Sequence, residues 1–143
     1  MEQRILKDPV PNAYKTSIVR VYSYDNKLFQ GTLFNPFWGK EVPFYNMIQF
    51  LNLTEQLLNT MNYPQVSMRA RSFQSARAQT KKRLVGVNAE WAHEAPIATF
   101  GVRILFRQNA SWQGELSWHE GDQSQTFRSA LELIHLMDSV LSE

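Results

Sequence analysis

Phe29-Gln30-Gly31-Thr32-Leu33 returns 83 positions later as Trp112-Gln113-Gly114-Glu115-Leu116. Both stretches alternate apolar and polar residues, as a strand with one buried face does. A glycine in mid-strand weakens the strand and is usually kept for a bulge or for close approach of another element, here expected to be a helix. Working outward, Thr16–Leu58 laid over Thr99–Leu141 gives ten identities in 43 positions, with no gap. Composition alone would give roughly two or three. Similar pairs extend the match: Val21 with Ile104, Phe29 with Trp112, Ile48 with Leu131, Glu55 with Asp138.

The matched residues predict matched structure. Ile18–Tyr24 and Phe100–Arg107 are rich in β-branched and aromatic residues and read as strands. Asn26 and Asn109 supply turns, because asparagine tolerates the left-handed conformation. Extended stretches follow at Lys40–Phe44 and Gln123–Phe127. Asn46-x-x-Gln49 and Ser129-x-x-Glu132 then read as capping boxes opening helices near Asn46–Asn62 and Ser129–Ser142. Each helix is apolar over more than one stripe. This predicts either packing of the helices on each other as well as on the sheet, or a homodimer interface.

The fold expected is α+β, with two tandem β-hairpin–helix repeats (about 16–61 and 99–142) sharing an antiparallel sheet, helices on one face, related by a pseudo-two-fold. The 143 residues then form a single domain: repeat one at 16–62, a connector at 63–98 and repeat two at 99–143. Within the connector, Val66–Ser72 alternates and reads as an extra strand. Phe73–Arg83 is polar and basic and reads as a mobile loop, and Leu84–Glu94 is ambiguous.

The second half, from Ala110-Ser111-Trp112-Gln113-Gly114 to Trp118 and on into Thr126-Phe127-Arg128-Ser129-Ala130-Leu131-Glu132-Leu133-Ile134, resembles a motif of small proteins of uncharacterised function. In these a glycine-containing hairpin precedes Phe-x-Ser-x-x-Glu-Leu. The whole chain is similar to a two-copy version from Gram-positive bacteria, including Tyr63-Pro64-Gln65 after the first helix. The first copy departs from the pattern, with Asn46 for Ser129 and Gln49 for Glu132. The resemblance implies no activity, cofactor or site residue.

Composition narrows the class. The chain is 43% hydrophobic and 13% aromatic, enough for a core, and has no cysteine, so disulfides, thiolate metal sites and a cysteine nucleophile are excluded. No stretch approaches the roughly 18 apolar residues of a membrane span. Met1–Asn12 lacks the apolar core of a signal peptide. A cytoplasmic protein with no membrane partner is expected. Net charge is only +2, but no acidic residue falls between Glu55 and Glu90, where Arg69, Arg71, Arg77, Lys81, Lys82 and Arg83 lie. Setting those six of the 15 basic residues aside leaves nine against 13 acidic ones. The positive character sits in one segment.

Motifs of catalysis are missing: no phosphate-binding glycine loop, no Gly-x-Ser-x-Gly, no His-Glu-x-x-His. Glu132, His135 and Asp138 share neighbouring helical turns, a spacing used in di-metal carboxylate bundles, but those sites need carboxylates from other helices. The simpler assignment makes Glu132 a cap and Asp138 a surface charge. Glu90, His93 and Glu94 around Trp91 have the composition of an ordinary loop. No catalytic residue, metal or cofactor is therefore expected.

Binding is better supported. With Val19, Val21, Phe29 and Leu33 inward, strict alternation turns Arg20, Tyr22, Tyr24 and Gln30 outward, and Arg103, Leu105, Arg107 and Gln113 with them. Arginine and tyrosine on an open sheet suit base stacking, although they are also ordinary on a half-exposed sheet. Four tryptophans, Trp38, Trp91, Trp112 and Trp118, are many for one small core and suit a protein interface. A non-enzymatic interaction or regulatory module is expected, self-associating as a homo-oligomer and engaging a protein partner. The alternative is a nucleic-acid-binding protein using the basic connector and the outward sheet face. Either would use Arg69, Arg71, Arg77, Lys81, Lys82, Arg83, Arg20, Tyr22, Tyr24, Arg103 and Arg107.

Overall fold

The computed structural model describes residues 11–64, 94–108 and 111–142. The chain is α+β. Strands β1 (Thr16–Ser23), β2 (Gln30–Asn35) and β3 (Lys40–Phe44) lead into helix α1 (Met47–Met61). Strands β4 (Ala98–Gln108), β5 (Ser111–Trp118) and β6 (Gln123–Phe127) lead into helix α2 (Ala130–Leu141). The six strands form one antiparallel sheet in the order β3-β2-β1-β4-β5-β6. β1 and β4 meet at its centre, with Ile18 opposite Gly101. No helix among the described residues is long and apolar enough to cross a membrane.

The helices begin where their caps dictate. Asn46 accepts from the Gln49 N–H at 2.8 Å, and the Gln49 side chain accepts in return from the Tyr45 N–H. Ser129 and Glu132 do the same, with the Arg128 N–H as the returning donor. Each box satisfies donors that the first helical turn leaves open. α1 ends on Asn62 in the left-handed conformation. The turn after β1 likewise places Asn26 at φ 56°; Asn109 lies outside the described residues.

One core lies between the sheet and the two helices. Val19, Val21, Phe29, Leu33 and Phe44 face Phe50, Leu57 and Leu58 of α1; Val102, Ile104, Trp112, Leu116 and Phe127 face Leu133 and Met137 of α2. Phe29 stacks on Phe44 and meets Phe50 edge-on. The principal neighbours of α1 are β2 and β3, and those of α2 are β5 and β6. Each helix thus packs one apolar stripe on the strands, while Ile48 and Leu131, from the doubled stripes, are exposed. Three of the four tryptophans also join this side. Trp112 is buried, Trp38 and Trp118 pack half-buried against the core, and Trp91 lies outside the described residues.

Strict alternation fails at one place in each central strand. Val21 pairs with Gly31 but Ser23 with Gln30, so Tyr22 is an extra residue; Ile104 pairs with Gly114 but Phe106 with Gln113, so Leu105 is extra. A bulge of one residue reverses every side chain beyond it. Phe106 therefore turns to solvent, while Tyr24 and Arg107 turn inward to the helices. The glycines opposite the bulges are obligatory for a nearby reason. A Cβ on Gly31 would collide with the Arg20 carbonyl oxygen, and one on Gly114 with that of Arg103. The element that approaches is the neighbouring strand, not the helix.

Gly31→Ala and Gly114→Ala should each cost roughly 1–3 kcal/mol or more in urea denaturation, since backbone must move to admit the methyl group. Gly101→Ala is the control. Its added Cβ would meet side chains at 3.5 Å or more, ordinary contact, so that variant should match or slightly exceed the native stability.

Candidate functional site

The helices cover one face of the sheet. The other face carries Arg20 and Tyr22 of β1 and Arg103 and Leu105 of β4, as alternation predicts up to the bulges. Tyr24 and Arg107 do not belong to it. Their assignment to the outward face is corrected by the bulges at Tyr22 and Leu105. The basic residues Arg69, Arg71, Arg77, Lys81, Lys82 and Arg83 lie outside the described residues, as do the expected strand at Val66–Ser72 and most of Leu84–Glu94.

Arg107 has become structural. Its side chain is 1% exposed, and its guanidinium donates to the Pro64 carbonyl (2.6 Å), Asn59 Oδ1 (2.7 Å), Glu55 Oε2 (3.3 Å) and the Leu58 carbonyl (3.5 Å). Glu55 also accepts from the Trp112 indole at 2.9 Å. A buried guanidinium is tolerated only with its donors answered in this way. Tyr24 plays the corresponding part toward α2. Its hydroxyl donates to Asp138 at 2.6 Å, where Lys27 and Ser142 also donate. Burial, reinforced by the bond to Asp138, pushes the Tyr24 phenol up to about 12. The hydrogen bonds from Tyr24, Lys27 and Ser142 hold the Asp138 carboxyl at about 2. Asp138 is thus committed to Tyr24, and Glu132 to its cap. No group of three or more potential metal ligands occurs among the described residues.

On the face opposite the helices the two arginines differ. Arg20 lies 3.2 Å from Glu41 of β3, and Glu41 accepts from Thr32 at 2.7 Å. The pair is about one-third exposed, so it holds Arg20 in place while contributing little to stability. Tyr22 stands beside it, its phenol raised by burial and by the Glu41 charge. Arg103 sits in the matching place on β4, opposite Glu115 and Thr16. Ser124 of β6 stands where Glu41 would be needed, and bonds Ser117 instead. Arg103 forms no salt bridge among the described residues, and its Nε is buried there without a hydrogen-bond partner.

Beside Arg103 lies Gly101, which is buried. Around the position a Cβ on Gly101 would take stand the Thr16 methyl (3.5 Å), His119 Nε2 (3.7 Å) and Ser117 Cβ (3.8 Å), beside the Arg103 guanidinium, which has Glu115 opposite it on β5. Sequence reasoning found Arg103 but missed Gly101, Ser117 and His119. Comparison with protein-family models, curated proteins and solved structures finds no match.

Arg107→Met should destabilise the chain by roughly 2–4 kcal/mol, because it leaves buried carbonyls without donors; Glu55→Gln should cost less, and a double-mutant cycle in urea should show the two coupled. Acid titration separates Asp138. Its folded pKa of about 2 lies below the roughly 3.9 of an unfolded aspartate. Its contribution is therefore complete above about pH 4 and is lost as pH falls toward 2. In Asp138→Asn the slope of stability against pH should be shallower across that interval.

Proposed function

We propose that the protein is a non-enzymatic interaction module that self-associates and takes an acidic group of a protein partner at Arg103, on the sheet face opposite the helices. The observation that carries this reading is the Arg103 guanidinium beside Gly101, with its Nε buried and without a hydrogen-bond partner among the described residues. Burying a donor without an acceptor is costly. A carboxylate arriving from a partner would bring the opposite charge to this guanidinium. Leu105, two residues along β4 on the same face, adds apolar area beside it.

The architecture behind this face is read as a tandem duplication. Its support is positional. At a constant offset of 83, bulge answers bulge (Tyr22, Leu105), glycine answers glycine (Gly31, Gly114), the pairs Gly31–Phe44 and Gly114–Phe127 recur, and cap answers cap (Asn46, Ser129). On this reading the two halves have diverged where function differs. Arg20 keeps its carboxylate, and Arg103 has lost the equivalent one.

Nucleic acid is the second reading, favoured by the six basic residues from Arg69 to Arg83 in a stretch with no acidic residue and by the same arginine face. Two assays separate them. If the partner is a protein, the tagged chain should retain it from nuclease-treated extract, Arg103→Ala should lose it, and substitution of the exposed Arg128 should not. If it is nucleic acid, a labelled single-stranded oligonucleotide should gain anisotropy at low salt, less so as salt rises. Lys81→Ala, Lys82→Ala and Arg83→Ala together should weaken that binding. No retained protein and no anisotropy change would remove both readings.

A further inference from the structure

The two edges of the sheet are built differently. Among the described residues β3 closes one side and β6 the other, and each is paired there on its inner side only. Counted outward from the pairs Gly31–Phe44 and Gly114–Phe127, the strands occupy matching positions: Pro43 and Thr126, Glu41 and Ser124, Lys40 and Gln123. Exposed edges invite pairing with another chain, and proteins blunt them with charge or proline. β3 is blunted by both, with Lys40, Glu41 and Pro43. β6 has neither. Gln123, Ser124, Gln125 and Thr126 are uncharged, all exposed, and none is proline.

Pro43 also shows which way the backbone points. A proline in an edge strand sits where its missing N–H would face outward, and residues two apart in an antiparallel strand face the same way. At the matching position Thr126 keeps its N–H, so Thr126 and Ser124 offer donors and acceptors to the free side of β6.

We propose that β6 is the self-association surface. Two copies join their β6 strands antiparallel about a two-fold axis at Gln125, so that Ser124 of each copy lies opposite Thr126 of the other and the sheet runs on from copy to copy. A second copy is the occupant the observations favour. The pairing closes on itself, as an isologous contact must. It exchanges backbone hydrogen bonds between the residues that present them. It sets serine against threonine, a favourable cross-strand pair. With no charge on the strand, like does not repel like. The same pairing through β3 would lack the Pro43 donor and bring two charged edges together. This deepens the self-association in the reading above and rests on it.

The axis makes a direct test. Gln125 faces its own copy, so Gln125→Lys sets lysine against lysine and Gln125→Glu sets glutamate against glutamate. The position is exposed, so both chains should fold as the native one does. In sedimentation equilibrium the native full chain should run near twice 16.7 kDa. Each variant alone should dissociate about tenfold more readily, and mixing the two should restore the dimer. Thr126→Pro, which gives β6 the proline that β3 already accommodates, should also yield a folded monomer. A native chain that is monomeric overturns both this pairing and the self-association it rests on. Dimers that persist in the variants, or variant monomers that do not recover on mixing, overturn the β6 pairing and leave self-association through another surface.

Discussion

Burying the Arg107 guanidinium behind the sheet obliges the chain to bring acceptors to it, and they come from elements distant in sequence. Glu55 and Asn59 lie on α1, and the Leu58 and Pro64 carbonyls at and beyond its end. The interaction exists because of the extra residue Leu105, which turns Arg107 toward the helices. That bulge in turn needs Gly114 opposite it, where no side chain could coexist with the Arg103 carbonyl. One backbone irregularity thus fixes a glycine, redirects a charge and sets the position of a helix end. The bulge at Tyr22 does the same for Tyr24 and α2.

Much of the fold was legible because its signals are local. A cap, the fourth residue that answers it and the apolar run behind them lie within one helical turn, so Asn46 and Ser129 announced their helices directly. Lys40–Phe44 and Gln123–Phe127 were legible as extended segments from their place between glycine hairpin and cap. The orientation of Tyr24 and Arg107 was not. A period of two carries no marker for an inserted residue, and a glycine in mid-strand signals a close approach without saying that a neighbouring strand's carbonyl, rather than a helix, makes it.

The face opposite the helices was legible in its charged residues and not in how they are paired. Arg20 and Arg103 occupy matching places and look alike in sequence. What separates them is Glu41 on a third strand, which pairs with Arg20, where Ser124 stands in the other half; Glu115, opposite Arg103, forms no salt bridge with it among the described residues. Such a difference becomes visible only once the strand order is known. Gly101 is likewise silent in sequence: an ordinary glycine in a strand, until its neighbours Thr16, Ser117 and His119 define the space above it.

The inward turn of Tyr24 and Arg107 also decides how the molecule loses its structure. Tyr24, from the first hairpin, secures the helix that follows the second; Arg107, from the second hairpin, secures the helix that follows the first. Neither hairpin–helix unit is complete without a side chain lent by the other. The free energy of each unit therefore includes terms that vanish when the other melts, which is the condition for cooperativity. The sheet and both helices form a single foldon, and heat or denaturant should dismantle them in one transition rather than half by half.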